Sequence, residues 1–249
     1  MSRDGKGEAE MLRLFDYFLV AFPGLLITIW AQWRVLRAYS AGSKMPAACG
    51  RTGAEAARVV LNANGLSAIA IEPAAGELSN HYDAHREVLR LSVRVFYGRS
   101  FTALGVAAHE AGHAIQDIAG YPGLVVRNLI VPLASIASQL VWLLMLAGVL
   151  LEMDRMILAG IVLFSSGLIC QLLNLPVERD ASRRGRQALI TTGTIEPAEE
   201  SIVDEVLKAA AWTYVALTLT GVAELAVAAR SRSSSLASRE KADPAGPAS

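Results

Sequence analysis

The chain has 249 residues, 53% of them hydrophobic and 18% charged, with 23 basic and 23 acidic side chains and a formal net charge of zero. That is less charge than the roughly 25% of a soluble domain, and the wealth of Leu, Ile and Val excludes a chain disordered throughout. A pI near 6.9 supplies no basic field for nucleic acid, and two cysteines, Cys49 and Cys170, exclude a disulfide scaffold.

Residues 1–13 form a polar N-terminal segment. Residues 14–33 are apolar apart from Asp16 and Pro23, long enough for a first transmembrane helix, which needs about 20 residues. The run exceeds the ~7–15-residue core of a signal peptide. It ends on Trp33, Arg34 and Arg37, side chains suited to a membrane interface. Residues 34–128 form the larger polar region. Within it, Thr52-Gly-Ala-Glu55 has the capping-box pattern, and the helix it opens ends at Gly65. Leu66–Ile71 reads as a strand and Pro73–Gly76 as a turn. His81-Tyr82-Asp83 and Val88–Val93 form a strand–turn–strand unit, and a helix over residues 102–119 stops at Gly120-Tyr-Pro-Gly123.

Leu129–Leu151 and Met156–Leu175 carry no charge and are separated only by Glu152–Arg155, so residues 129–175 make a transmembrane hairpin. Residues 176–208 begin at Pro176, contain the turn Thr192-Gly193 and predict two short helices. Residues 209–229 are a fourth span carrying Glu224. The tail, residues 230–249, is rich in Ser, Ala, Arg and Pro and reads as disordered. Asp16 and Glu224 are the only charges in the four apolar segments, so the neutral average is a mixture of a greasy anchor and an ordinarily charged polar part.

Residues 109–113 read His-Glu-Ala-Gly-His, inside the helix 102–119. Histidines four apart share a helical face and can hold one metal ion, and Glu110 beside them can take a proton from an attacking water. This is the HExxH pattern of zinc hydrolases. Gly112 costs ~1 kcal/mol inside a helix and leaves room for a backbone or substrate to approach. Catalytic zinc usually takes three protein ligands. The other histidines are His81 and His85, and Glu178 and Asp180 lie downstream. A hairpin over 129–175 returns the chain to the side it left, so the HExxH helix and Glu178 share a side of the membrane. That favours Glu178 as third ligand, with Asp180 as the alternative or as a carboxylate orienting a ligand histidine. His81 and Tyr82 are candidates for oxyanion or substrate contacts, because a hairpin edge can add a peptide strand. Tyr97 is a further candidate. For all three, a polar surface role is the plainer reading.

The segments NHYDAHREVLRLSVRVFYGRSFTALGVAAHEAGHAIQD and LPVERDASRRGRQAL resemble those of the YugP-type membrane zinc metallopeptidases, over about Leu14 to Ala229. More distantly, the chain is similar to HtpX-like and CAAX-prenyl-type membrane peptidases, in which a Glu on a later helix completes the site. The resemblance implies one Zn2+ on His109, His113 and Glu178, with Glu110 as base. It departs from the HtpX-like pattern at one point: a Glu and Asp that are four apart there are two apart here, at Glu178 and Asp180.

The fold expected is therefore an α-helical integral membrane protein of about four transmembrane helices, with a mostly α (α+β, zincin-like) catalytic region. The function expected is a membrane-embedded, zinc-dependent endopeptidase acting on membrane proteins or their exposed segments, with the lipid bilayer as its other partner and no nucleic acid. The resemblance places it in the bacterial inner membrane with the site on the cytoplasmic face. The alternative is a proteolytically inactive membrane scaffold that keeps a structural zinc site.

Overall fold

The computed structural model describes residues 3–76, 79–151, 153–209, 211–212, 215–216, 218–222 and 225. The predicted disordered tail lies outside these, as does part of the predicted fourth span. The chain is mostly helical with one small sheet. In order come α1 (Arg3–Lys44), α2 (Gly53–Ala63), β1 (Ala70–Ala74), β2 (His81–Asp83), β3 (Val88–Ser92), α3 (Val93–Phe96), α4 (Phe101–Ile118), α5 (Pro122–Leu150) and α6 (Asp154–Thr191). A 3-10 turn, Pro197–Glu199, precedes the helical residues 200–209. The chain divides into two compact units. One takes residues 1–30, 134–169 and 216–249, the other residues 31–133 and 170–215.

In the first unit α5 ends and α6 begins close together in sequence, and the Met153 N–H donates to Gly148 O. Gly148 lets the two helices close: a Cβ there would lie 2.7 Å from Ile157 Cγ1. Among the described residues two helices are long and apolar enough to cross a membrane, Pro122–Gly148 and Arg155–Thr191, with mean hydropathies of 2.1 and 2.2. Their most apolar stretches are only 8% and 6% buried, so they point Leu, Ile and Val outward where a soluble core helix would cover them. Residues 14–33 lie inside the long helix α1.

The second unit is built on α2, α4 and the sheet. The capping box forms: the Glu55 N–H donates to Thr52 Oγ1 and the Thr52 N–H to Glu55 Oε2, 3.2 and 2.7 Å. Gly65, at φ 75°, ends the helix where the sequence places it. The sheet runs β1-β3-β2, with β1 parallel and β2 antiparallel to β3. Ala57, Val60 and Leu61 of α2, Leu89 and Leu91 of β3, and Leu104 and Ala108 of α4 make one core, joined by Leu189 and Val203.

Two expectations need correction. The first strand lies at Ala70–Ala74, not Leu66–Ile71. The Leu66 N–H donates to Leu61 O and so belongs to the end of α2, while the strand runs on through Pro73, which a sheet edge tolerates. Residues 176–208 do hold two helical stretches about the Thr192-Gly193 turn, but no helix begins at Pro176. Pro176 lies inside α6, which continues to Thr191. The proline forfeits one backbone hydrogen bond, but Val177 and Ala181 beyond it are fully buried, and that packing carries the helix through.

Candidate metal centre

Residues four apart recur on one face of α4, which brings His109 and His113 side by side with ring centroids 4.8 Å apart and the rings edge to face. The third group comes from α6. Glu178 Oε2 lies 3.1 Å from His109 Nε2 and 3.6 Å from His113 Nε2. One ligand atom from each of the three side chains lies within 4.8 Å of the others. A tetrahedral zinc with ~2.0–2.1 Å bonds sets its ligands roughly 3.3 Å apart, so two imidazoles and a carboxylate at these separations fit zinc. Arg127, in the second turn of α5, reaches the other carboxylate oxygen, with Nη2 3.4 Å from Glu178 Oε1.

The helices approach this closely because glycine faces backbone on both sides. A Cβ on Gly112 would lie 2.2 Å from Ala181 O, and one on Gly185 2.2 Å from Ala108 O. Ala108 and Ala181 are themselves fully buried. This contact sets Glu178 against the two histidines. It also sets Ser182, one turn on, with its Oγ 3.0 Å from His109 Nδ1.

His113 is oriented by a chain of hydrogen bonds through Gln116. Gln116 is fully buried, and its Nε2 donates to Val177 O at 2.8 Å and to Asp180 Oδ2 at 3.0 Å. Its Oε1 must then be the atom facing His113 Nδ1, 3.0 Å away, so Nδ1 carries the proton and donates. That leaves Nε2 with a free lone pair toward Glu178, the tautomer a metal ligand needs. Asp180 is held in turn by Arg184 Nε at 2.5 Å and by Arg183.

Burial by itself lowers the pKa of His109. The hydrogen bond with Glu178, the Glu110 charge and the Glu178 charge outweigh it, and the net shift is upward. Glu110 is 8% exposed and accepts no hydrogen bond from any described residue.

His109, Glu110, His113 and Glu178 are thus brought together, and Asp180 joins them one residue removed, through Gln116. His81 is exposed on β2 with Nδ1 2.8 Å from Ser79 O. Tyr82 donates its hydroxyl to Asp117 Oδ2 at 3.1 Å, and burial and then the Asp117 charge raise its pKa. Tyr97 is 63% exposed, edge-on to Phe96, and lines a depression with Arg51 and Thr52 that includes none of the three metal-facing groups. Sequence reasoning missed Gln116, Ser182 and Arg127. Gln116 and Ser182 sit one turn beyond His113 and Glu178 and so were findable by helical spacing, while nothing local marks Arg127.

A family model described as "Putative neutral zinc metallopeptidase" matches residues 17–231. The chain is 46% identical over 212 residues to "Putative membrane protease YugP" of Bacillus subtilis (strain 168), covering 85% of this chain and 93% of that protein. No solved structure matches it significantly. Two histidines and a glutamate suited to zinc, on a chain matched over most of its length, lead to one conclusion: the protein belongs to this family of neutral zinc metallopeptidases.

Proposed function

We propose that the protein is a membrane-embedded zinc endopeptidase in which His109, His113 and Glu178 hold the metal and Glu110 is the general base. The observation that carries this reading is the convergence of three ligand atoms from two helices beside a nearly buried carboxylate with no hydrogen-bond partner among the described residues. When bound, zinc supplies Lewis acidity, which polarises a carbonyl and makes water more acidic. Glu110 takes the proton of the attacking water and passes it to the leaving amine. Gln116 and Ser182 hold the imidazoles so that their Nε2 atoms face the metal, and Arg127 holds Glu178 by its outer oxygen. The free edge of β2 offers a place where an extended peptide could add a strand, near the end of α4 where Tyr82 reaches Asp117.

Four spans, at 14–33, 129–151, 156–175 and 209–229, anchor the protein in the bacterial inner membrane with the site facing the cytoplasm. Two outward-facing apolar helices and the name of the Bacillus relative support the membrane placement. A site this close to the spans suits substrates that are membrane proteins or their exposed segments. The test is cleavage of a detergent-solubilised membrane protein by the zinc-loaded wild type and by Glu110→Gln. The wild type is expected to cut, and the variant to keep its zinc and lose cleavage. Equal cleavage by both overturns the mechanism.

A further inference from the structure

A cavity of about 460 Å³ opens beside α6, with Ser182 in its wall. Arg179, Arg183, Arg186 and Lys208 line it, with Asp204 as the only acid among the described residues of the wall. Arg183 is paired with Asp180, and Arg186 and Lys208 share Asp204, each at 2.5 Å. Arg179 has no ion pair or hydrogen bond among the described residues. Leu207, Ala211, Trp212 and Val215 line it as well, and the Arg34 guanidinium lies 5.7 Å from the centre of the Trp212 ring.

The wall thus combines cationic and apolar side chains. It lies where the polar region meets apolar sequence: Arg179 and Arg183 lie just past the end of the 156–175 run, and Lys208 immediately precedes the 209–229 run. Arginine, lysine and tryptophan in that order are the side chains of a membrane interface. A basic recess next to spans suits a lipid phosphate, with the tryptophan beside the first part of the acyl chain.

We propose that this cavity binds the headgroup of an anionic phospholipid, with Arg179 and Lys208 as the phosphate contacts and Trp212 against the lipid's glycerol end. The inference rests on residues 209–229 being a span and not on peptidase activity. Ser182 lines the cavity and also holds His109 Nδ1, so the bound lipid sits one side chain away from the metal centre.

The experiment uses the full-length zinc-loaded protein in phosphatidylcholine vesicles that contain either brominated phosphatidylglycerol or brominated phosphatidylcholine at the same mole fraction. The Trp212 signal is obtained as the difference between wild type and Trp212→Phe. Brominated phosphatidylglycerol is expected to quench that signal more strongly, and added inorganic phosphate to leave the preference intact. Arg179→Gln with Lys208→Gln is expected to abolish the preference while circular dichroism and zinc content stay unchanged. Equal quenching by both lipids, a preference that survives the double substitution, or one erased by free phosphate overturns the proposal. No quenching by either lipid overturns the membrane placement of residues 209–229, and the proposal with it.

Discussion

Gly112 on α4 and Ala181 on α6 meet backbone to backbone: the space a Cβ on Gly112 would fill ends 2.2 Å away at the Ala181 carbonyl oxygen. The oxygen belongs to a helix and cannot swing aside as a side-chain tip would. Gly112→Ala is therefore expected to push α6 away from α4 and carry Glu178 off His109 and His113. Overpacking of this kind costs ~1–3 kcal/mol. Isothermal titration with zinc should show a large loss of affinity, and thermal denaturation a lowered Tm. Gly185→Ala meets Ala108 in the same way and should behave alike.

Glu178 and Asp180 are two residues apart and meet different partners, the two histidines and Gln116. Glu178→Ala removes a group that faces both Nε2 atoms, and zinc should no longer be retained through gel filtration. Asp180→Ala leaves the three metal-facing groups in place and removes one acceptor of Gln116. Zinc should stay bound, more weakly. Metal analysis of the two purified variants makes the comparison.

Gln116→Ala takes away the acceptor that fixes the His113 tautomer. Loss of such an outer partner typically weakens metal affinity ~10–100-fold. Competition against a zinc-responsive dye should show a loss in that range. Ser182→Ala should act on His109 in the same direction.

Tyr82 spends its hydroxyl on Asp117. Tyr82→Phe should lower stability by ~0.5–1.5 kcal/mol, the worth of an ordinary hydrogen bond, and leave kcat nearly unchanged. An oxyanion donor would instead cost ~10²–10³ in kcat when removed. Denaturant unfolding and turnover measured on the same preparation separate the two.

Chelation should abolish cleavage and added zinc restore it. Zinc binds only the folded site, so its removal should also lower Tm, the stabilisation reaching ~4 kcal/mol when free zinc stands at about 1,000 times Kd. On the proposed four-span topology with a cytoplasmic site, a topology reporter fused at Ser249 should read non-cytoplasmic.

Much of the local structure was legible in the sequence. Thr52 with Glu55 and the glycine at 65 bracket α2, since caps and turns depend on groups a few residues apart. Where neighbours in space took over, local reading failed. Leu66 and Ile69 are only 7% and 3% exposed and are drawn into the core at the end of α2, which shifts the strand onward. Pro176 reads as a boundary, yet α6 runs through it on the strength of contacts beyond it.

By itself the sequence determined the segregation of charge from apolar runs, the His109, Glu110 and His113 face, and the short choice between Glu178 and Asp180. Each of these follows from spacing along one helix or from composition along the chain. Only the tertiary structure decided which carboxylate faces the histidines and how the other acts. Glu178 and Asp180 lie about 200° apart around α6, given ~100° per residue, and which direction points at α4 depends on where the helices touch. The touching points are Gly112 on Ala181 and Gly185 on Ala108, more than sixty residues apart in sequence. The zero net charge leaves this untouched, because it counts charges without placing them.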